Sequence, residues 1–404
     1  MKLLYSAIDQ HVPGTKGGSI HVRAVADGLA ALGHEVHVAT MVEADTMGEA
    51  ARADGDRVQG APQWHDVRTP LGRPHFRLLR THALRRLARE LRPDVVMERY
   101  HNFGGEGLIA AGSVRARRVL EVNAPVIDHA GSSKARLDRA LLVQPLRRWR
   151  DWQCRVSDLI VTPTRAILPA WVPSARVLEV EWGADTDRFR PGATGPLPFA
   201  PDDRITVIFI GAFRAWHGVV PLVRAMRQLA DRGRRDIRAV LIGDGPERAR
   251  AEEEARGLDN VQFTGALPHD RLPACLAAAD IGAAPFDVDA HPPLSLAFYW
   301  SPLKVFEYMA SGLPVVAPDL PRLRALIARD EAGVLYDARD SHALAHAIER
   351  LADPAMRARL GANARARAVA RYSWQAHCAA LDAALTRLTA TSTSGASRAD
   401  AASF

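Results

Sequence analysis

The chain of 404 residues has little cysteine, little lysine and no long apolar run. Its three cysteines, Cys154, Cys275 and Cys378, lie far apart without C-x-x-C spacing, which argues against a disulfide scaffold or a zinc site. No apolar stretch approaches the roughly 18 residues that a membrane-spanning helix needs. The N-terminal MKLLYSAIDQ becomes polar too soon for a signal peptide. We therefore expect a cytoplasmic protein in a reducing compartment.

Arginine carries the positive charge, because only four lysines contribute to the net charge of +7. Eight arginines and one acid lie between Arg68 and Arg92, and residues 134–155 hold seven basic residues and two acids, with Trp149 and Trp152 one helical turn apart. Basic helices with aromatic residues suit an anionic membrane surface, which suggests a peripheral position on the inner face of the cell membrane. A solvated arginine-rich face is the alternative. We expect no nucleic-acid partner, because no recognised binding motif accompanies the charge.

The start of the chain follows the pattern that opens a doubly wound α/β domain. Residues 3–8 predict a buried strand, 13–19 a glycine-rich loop, and 35–40 a second strand after an amphipathic helix. The loop has neither the GxGxxG pattern nor a Walker lysine, so dinucleotide and NTPase functions are weak hypotheses. Gly17 and Gly18 still allow a ligand to approach the backbone closely, although a plain tight turn is the alternative.

The strand–loop–helix pattern restarts at residue 205, after a segment rich in proline and glycine. Two Rossmann-like doubly wound domains joined by such a segment predict a substrate cleft between them. The predicted parts are an N-terminal Rossmann-like domain (1–190), a linker (191–204), a second Rossmann-like domain (205–372), a helix packing back on the first domain (373–389) and a disordered tail (390–404).

Polar residues follow several predicted strands, where open α/β sheets bind their ligands. In the first half these are Asn123, Asp128 and His129, for which ordinary solvation is the alternative. In the second half Arg214 and His217 precede a helix, and a cation beside a helix N-terminus suits the neutralisation of a diphosphate. The sequence offers no carboxylate cluster with metal-ligand spacing, so we expect no metal.

The stretch SPLKVFEYMASGLPVVAPD predicts a short helix followed by a buried strand. Ser301 suits the N-cap and Pro302 the first helical position, which puts N–H groups at the open end of a sheet. Glu307 is the acid inside this helix, and it suits a ribose diol. A core helix whose acid points to solvent is the alternative.

Eight motifs, in order, resemble the family-4 retaining glycosyltransferases of the GT-B fold, from about residue 2 to 388. In the first half they are GGSIHVRAVADGLAALGHEVHV, ERYHNFGGEG, LEVNAPV and GADTDRFRP. In the second half they are FIGAFRAWHGVVPLVRAM, LIGDGP, VQFTGALPHDRLPACLAAADIGAAPF and SPLKVFEYMASGLPVVA.

The resemblance implies that residues 1–190 form the acceptor-side domain and residues 205–372 the nucleotide-sugar-binding domain. It also implies roles for individual residues. Glu307 is similar to the second acid of the family's Glu-x7-Glu element, whereas Tyr299 stands where the first acid is expected. The family's diphosphate-binding Arg and Lys fall on Ala212 and His217, so Arg214 is the substitute cation, with His217 either protonated or a neutral hydrogen-bonding group. The family's acceptor-side His falls on Asn123, leaving His101, Asp128 and His129 as alternatives. We expect catalytic roles for Arg214, His217, Asn123 and His129, and donor contacts from Gly17, Gly18, Gly211, Arg214, His217, Gly243, Tyr299, Ser301, Leu303, Lys304 and Glu307.

The implied reaction transfers a sugar from a nucleotide diphosphate sugar to an acceptor hydroxyl with retention, in glycan or glycolipid synthesis for the cell envelope. The family is thought to use a front-face process without a metal or other cofactor. A nucleotide-sugar 2-epimerase of the same fold and a catalytically weak nucleotide-binding scaffold are the alternatives. The donor's base and sugar, the acceptor and the linkage do not follow from the sequence.

Overall fold

The computed structural model describes residues 1–12, 14, 17–41, 60–67, 77–129, 132–142, 144–328 and 331–400. The chain divides into two compact units, Met1–Glu181 with His377–Phe404, and Trp182–Ala376. The division falls after residue 181, whereas the sequence analysis placed it at 190. The predicted linker, 191–204, therefore belongs to the second unit.

The first unit is built on a seven-stranded parallel sheet, ordered β3-β2-β1-β4-β5-β6-β7. Strand β1 is continuously buried from Leu3 to Ile8, as expected for a strand covered on both faces. The strands are β1 (Lys2–His11), β2 (Glu35–Met41), β3 (Gln63–Asp66), β4 (Val95–Arg99), β5 (Arg117–Glu121), β6 (Leu159–Thr162) and β7 (Val177–Glu179). The helices are α1 (Gly17–Ala31), α2 (Arg77–Leu91), α3 (Glu106–Gly112), α4 (Ser133–Ala140) and α5 (Pro145–Val156).

The second unit repeats the plan with a six-stranded parallel sheet, ordered β10-β9-β8-β11-β12-β13. Its strands are β8 (Ile205–Ile210), β9 (Ile237–Ile242), β10 (Val261–Gly265), β11 (Ile281–Ala283), β12 (Val315–Pro318) and β13 (Gly333–Tyr336). Its helices include α6 (Val219–Asp231), α7 (Arg248–Glu254), α8 (Leu272–Ala277), α9 (Leu303–Ala310), α10 (Ala343–Arg350) and α11 (Pro354–Arg371). The C-terminal helix α12 (Trp374–Asp400) begins in this unit and continues in the first.

Both sheets reverse their strand order next to the first strand of the unit, between β1 and β4 and between β8 and β11. A reversal of this kind is the switch point of a doubly wound sheet, where loops diverge and leave room for a ligand beyond the strand ends. The predicted doubly wound α/β class is therefore confirmed for each unit.

Helix α9 is fastened to the second switch point by Tyr308. The phenol oxygen accepts a hydrogen bond from the Ile210 N–H at 2.9 Å and donates one to the Ala283 carbonyl at 3.2 Å. A Cβ on Gly282 would lie 2.5 Å from the Tyr308 ring, so the helix packs directly on bare backbone. Removing a buried partner of this kind costs about 1–3 kcal/mol. The start of α9 is thus fixed above the ends of β8 and β11.

Three local predictions were wrong. Helix α9 begins at Leu303 with Pro302 as its N-cap, and the Ser301 hydroxyl instead accepts a hydrogen bond from the Trp182 N–H at 2.7 Å. Helix α1 already begins at Gly17, inside the predicted glycine-rich loop. Residues 390–400 continue α12, where a disordered tail was predicted; this segment contains no proline that would end the helix.

None of the helices formed by the described residues combines the length and the apolar character needed to cross a membrane.

Candidate functional site

Two glycines beside the second switch point let the ends of β8 and β9 pack through their backbones. Gly211 follows β8 with φ 136°, and Gly243 follows β9 with φ 149°, both in the region that favours glycine. A Cβ on Gly243 would lie 1.9 Å from the Gly211 carbonyl oxygen. Any side chain here would therefore separate the two loops, and the edge above β8 stays open to a ligand.

Lys304 brings a buried amine to this edge. Its Nζ lies 4.1 Å from the ring centroid of Phe209 and 5.3 Å from that of Phe286, and a Cβ on Gly211 would be 3.1 Å from it. No hydrogen-bond acceptor reaches the amine in the part of the chain that the structure describes. Burial lowers the pKa of Lys304 to about 7, against the opposing effect of Glu307.

His217 faces the same amine as a neutral ring. Its Nδ1 lies 2.6 Å from the Ala212 carbonyl oxygen, which only accepts, so Nδ1 carries the proton and Nε2 is an acceptor. Burial, and then the neighbouring Lys304, lower the pKa of His217 to about 3. Of the two roles predicted for His217, the geometry favours the neutral one.

Arg214 is the exposed cation of this loop. Its guanidinium lies 5.3 Å above the Trp216 ring, and Trp216 in turn stacks on His291 with centroids 4.4 Å apart. A cation held on an aromatic face keeps its N–H donors for a ligand. The loop therefore presents an exposed cation near His217.

Glu307 is buried and paired with a histidine that the sequence analysis did not single out. The side chain of His269 donates through Nε2 to the Glu307 Oε1 at 2.7 Å. Only 3% of Glu307 is exposed, which excludes the alternative of an acid pointing to solvent. His269 lies in the HDR turn after β10. Nothing in the sequence spacing relates it to residue 307.

The position of the missing acid is filled by a buried phenol. Tyr299 is 5% exposed and lies edge-on to Trp300, with centroids 6.2 Å apart. Burial raises the pKa of Tyr299, so the phenol stays neutral. Leu303, half-buried, opens α9. This side of the site is aromatic rather than acidic.

In the first unit the candidates lie around Glu121, at the carboxyl end of β5. Its Oε1 accepts a hydrogen bond from the Asn123 amide at 2.5 Å and lies 3.1 Å from His21 Nε2. Tyr5 donates to the other oxygen, and Arg99 approaches to 3.4 Å. Burial raises the pKa of Glu121 despite the nearby guanidinium. Asn123 is thus fixed by the buried polar network around Glu121.

The remaining first-unit candidates are divided among other contacts. Asp128 pairs with the buried Arg150 at 3.0 Å. The His129 carbonyl accepts a hydrogen bond from the Ser132 N–H, which precedes α4. A Cβ on Gly18 would lie 2.1 Å from the Gln10 Oε1, so the absence of a side chain at Gly18 leaves space for the Gln10 side chain. Pro13, Thr15 and Lys16 of the predicted loop lie outside the described residues.

Among the described residues, one group has metal-ligand spacing, contrary to the expectation from sequence. Glu98, His101 and Glu106 place one ligand atom each within 4.8 Å of one another. Both Glu98 oxygens already accept backbone hydrogen bonds, from Gly105 at 2.6 Å and Leu108 at 2.8 Å. Burial and the nearby Glu106 raise the pKa of Glu98 to about 8. The hydrogen bonds that Glu98 accepts from the backbone at the start of α3 account for its position, and we assign no metal to this group.

The tryptophans of the second basic segment have a packing role. Trp149 and Trp152 stack with centroids 4.6 Å apart, and the Trp149 indole donates to the Gly104 carbonyl at 2.8 Å. Arg150, between them in sequence, is 1% exposed and donates to the Val126 carbonyl at 2.6 Å. These three residues fasten α5 to neighbouring loops. Residues 68–76 of the first basic segment lie outside the described part of the chain.

Two family profiles match the sequence, one in each unit. The profile described as Glycosyltransferase Family 4 matches residues 15–177, and the one described as Glycosyl transferases group 1 matches residues 204–353. The chain belongs to the family-4 glycosyltransferases of group 1. The family predicted from the eight motifs is therefore confirmed.

This glycosyltransferase is 28% identical to the GDP-mannose-dependent alpha-mannosyltransferase of Mycobacterium tuberculosis over 92% of each chain. It is 26% identical to the alpha-D-kanosaminyltransferase of Streptomyces kanamyceticus, covering 71% of this chain and 76% of that one. Its fold resembles sucrose-phosphate synthase of Thermosynechococcus elongatus, with a TM-score of 0.69, 21% identity and 96% and 99% coverage. It also resembles Anabaena HepE in complex with UDP and glucose, with a TM-score of 0.69 and 17% identity. That match covers 96% of this chain and 100% of the HepE chain. These likenesses confirm the GT-B fold.

We predict that His217 stays neutral, with its proton on Nδ1, from pH 5 to 8, because burial holds its pKa near 3, below the ordinary 6.5. In the unfolded chain the ring has its ordinary pKa of 6.5, so it binds a proton at a higher pH than in the folded protein. His217 therefore lowers the stability of the fold as the pH falls from 6.5 towards 3. Nitrogen-15 NMR of the ring, assigned with His217→Gln, measures both the charge and the tautomer. A ring signal that titrates near 6.5, as in the free amino acid, would contradict the prediction.

Proposed function

We propose that this glycosyltransferase moves a hexosyl group, with retention, from a nucleotide diphosphate sugar to an acceptor hydroxyl. One observation carries the proposal: Gly211, the Lys304 amine and the start of α9 meet at the second switch point, with Glu307 in the same helix. Cations, open backbone and a buried carboxylate are together what a diphosphate joined to a ribose requires. The GDP-mannose-dependent relative supports a nucleotide-sugar donor.

Catalysis in this scheme is electrostatic. Negative charge develops on the leaving diphosphate as the bond to the sugar breaks, and fixed cations and N–H dipoles stabilise it. Arg214 supplies charge from the rim of the site. His217 is neutral, so it contributes a hydrogen-bonding group and no charge. In a front-face process the leaving diphosphate itself takes the acceptor proton, and the scheme uses no metal.

We assign the acceptor to the first unit, where Asn123 lies beyond the end of β5. The Glu121–Asn123 hydrogen bond fixes the amide beyond the end of this strand, where open α/β sheets bind their ligands. His129 stays a prediction as a second contact. A glycan or lipid-linked acceptor of the cell envelope fits a relative named as a phosphatidylinositol monomannoside mannosyltransferase.

The test is release of nucleoside diphosphate from a panel that includes GDP-mannose and UDP-glucose, with and without lipid-linked and soluble glycan acceptors. A transferase needs the acceptor, a 2-epimerase converts the donor alone, and a scaffold binds without turnover.

In the same panel, Glu307→Gln is expected to weaken donor binding about 10- to 100-fold, because two hydrogen bonds from the ribose to a charged acceptor are replaced by weaker ones. Glu252→Gln, on the exposed face of α7, is the matched control and should bind the donor normally. Calorimetry measures the affinity, and thermal unfolding verifies that both variants fold. Unchanged donor affinity in Glu307→Gln would rule out the ribose role.

We also propose that the first unit contacts an anionic membrane. The tryptophans are used in packing, but Leu141 and Leu142, after α4, are 48% and 86% exposed, and Arg136 and Arg139 of that helix are exposed as well. Exposed leucines beside arginines suit insertion among anionic headgroups.

The double variant Leu141→Ser, Leu142→Ser should therefore sediment several-fold less with phosphatidylglycerol vesicles at low salt than the native protein. Phosphatidylcholine vesicles control for a requirement for charge. Equal sedimentation of both proteins, or no binding by the native protein, would refute the membrane contact.

A further inference from the structure

Among the described residues at the second switch point, the amine of Lys304 is buried and its hydrogen-bonding capacity is unsatisfied. It is buried against Phe209 and Phe286, and it lacks a hydrogen-bond acceptor there. A buried ammonium without an acceptor is costly, and proteins pair nearly all such groups. The arrangement points to an anion that comes from outside the chain.

Two titratable groups act directly on this amine: His217 from the loop after β8, and Glu307 from the same helix. Arg214 and His291 act on His217 and so form the next layer of charge. His217 is neutral and Arg214 is itself a cation, so neither compensates an ammonium. Glu307 already accepts a hydrogen bond from His269 through Oε1. The surroundings thus leave room for one more negative group.

The position of the amine also accounts for a gap in the family pattern. The lysine expected in the loop after β8 is His217 in this chain, yet Lys304 reaches the same loop from α9 and lies beside Gly211. A Cβ on Gly211 would be 3.1 Å from the Lys304 amine and 3.6 Å from His217 Nδ1. Lys304 therefore brings an amine to the loop in which the family pattern has a lysine.

We infer that Lys304 binds the diphosphate of the donor and takes up a proton as the donor binds. The inference rests on the proposed function, because it names the cation that the donor site uses. Binding of the donor thereby becomes linked to pH, and the amine carries full charge only when its counter-anion is present.

The sign of the linkage follows from the two states of the amine. Near pH 7 about half of the free enzyme holds Lys304 uncharged, since its pKa is about 7 rather than 10.5. A diphosphate beside the amine favours the charged form and raises its pKa. Between the free and the bound pKa, binding consumes up to one proton, so donor affinity falls as pH rises, by at most tenfold per pH unit.

The scarcity of lysine makes a direct test practical, because the whole chain has four lysines. Carbon-13 NMR of the lysine side chains, with Lys304→Arg to assign the signal, reports the charge on the amine. We expect the Lys304 midpoint near pH 7 in the free protein. Saturation with whichever of GDP-mannose and UDP-glucose binds should raise the midpoint by about one to three pH units.

Calorimetry on the same proteins measures the consequence. The native protein should lose up to tenfold in donor affinity per unit between pH 7 and the bound pKa. Lys304→Arg, always charged, should bind with little pH dependence. Lys304→Met, which matches the stem without the charge, should bind at least about tenfold more weakly and also without pH dependence.

The outcomes separate the two claims. If a nucleotide sugar binds but the Lys304 midpoint lies near 10 or does not move, the inference is wrong and the donor proposal stands. If no nucleotide sugar in the panel binds the native protein, both are wrong. Thermal unfolding of each variant verifies that a loss of binding is not a loss of fold.

Discussion

The two hydrogen bonds of Tyr308 to the ends of β8 and β11 determine where α9 lies at the second switch point. They hold α9 over the reversal of strand order, where a parallel sheet opens. Because Gly282 has no side chain, the helix sits directly on the strand and its first turn projects past the strand ends. Lys304 and Glu307 therefore stand beside Gly211 as a consequence of packing, before any ligand is considered.

The net charge at the second switch point depends more on the burial of its ionisable side chains than on how many of them are present. The same low-dielectric surroundings neutralise His217 and bring the pKa of Lys304 close to neutrality, so the site is less positive when empty than its composition suggests. In the proposed function, the bound diphosphate restores the charge on Lys304. Arg214 differs because its guanidinium is exposed and lies over the Trp216 ring. In the empty protein, a buried amine that is partly uncharged has a smaller desolvation cost than a buried ammonium without a counter-anion.

Much of the fold was predictable because it follows from short-range patterns. Apolar strands alternating with amphipathic helices predicted two doubly wound units, and the same periodicity located the loop at Gly211 and the helix of Glu307.

Contacts between residues far apart in the sequence could not be predicted. His269 meets Glu307 from 38 positions away, and Lys304 approaches His217 across two elements. Ser301 failed as an N-cap because the Trp182 N–H, distant in sequence, competes for its hydroxyl. Trp149 and Trp152, which looked like surface aromatics, pack on Gly104 and Gly105.

The most direct test of the donor site is a crystal structure with a nucleotide diphosphate sugar bound. The account predicts diphosphate oxygens within hydrogen-bonding distance of the Lys304 amine and the backbone at Gly211, with the ribose hydroxyls on Glu307. A nucleotide bound instead at the end of β1, beside Gly17 and Gly18, with the Lys304 amine still enclosed by Phe209 and Phe286, would contradict it.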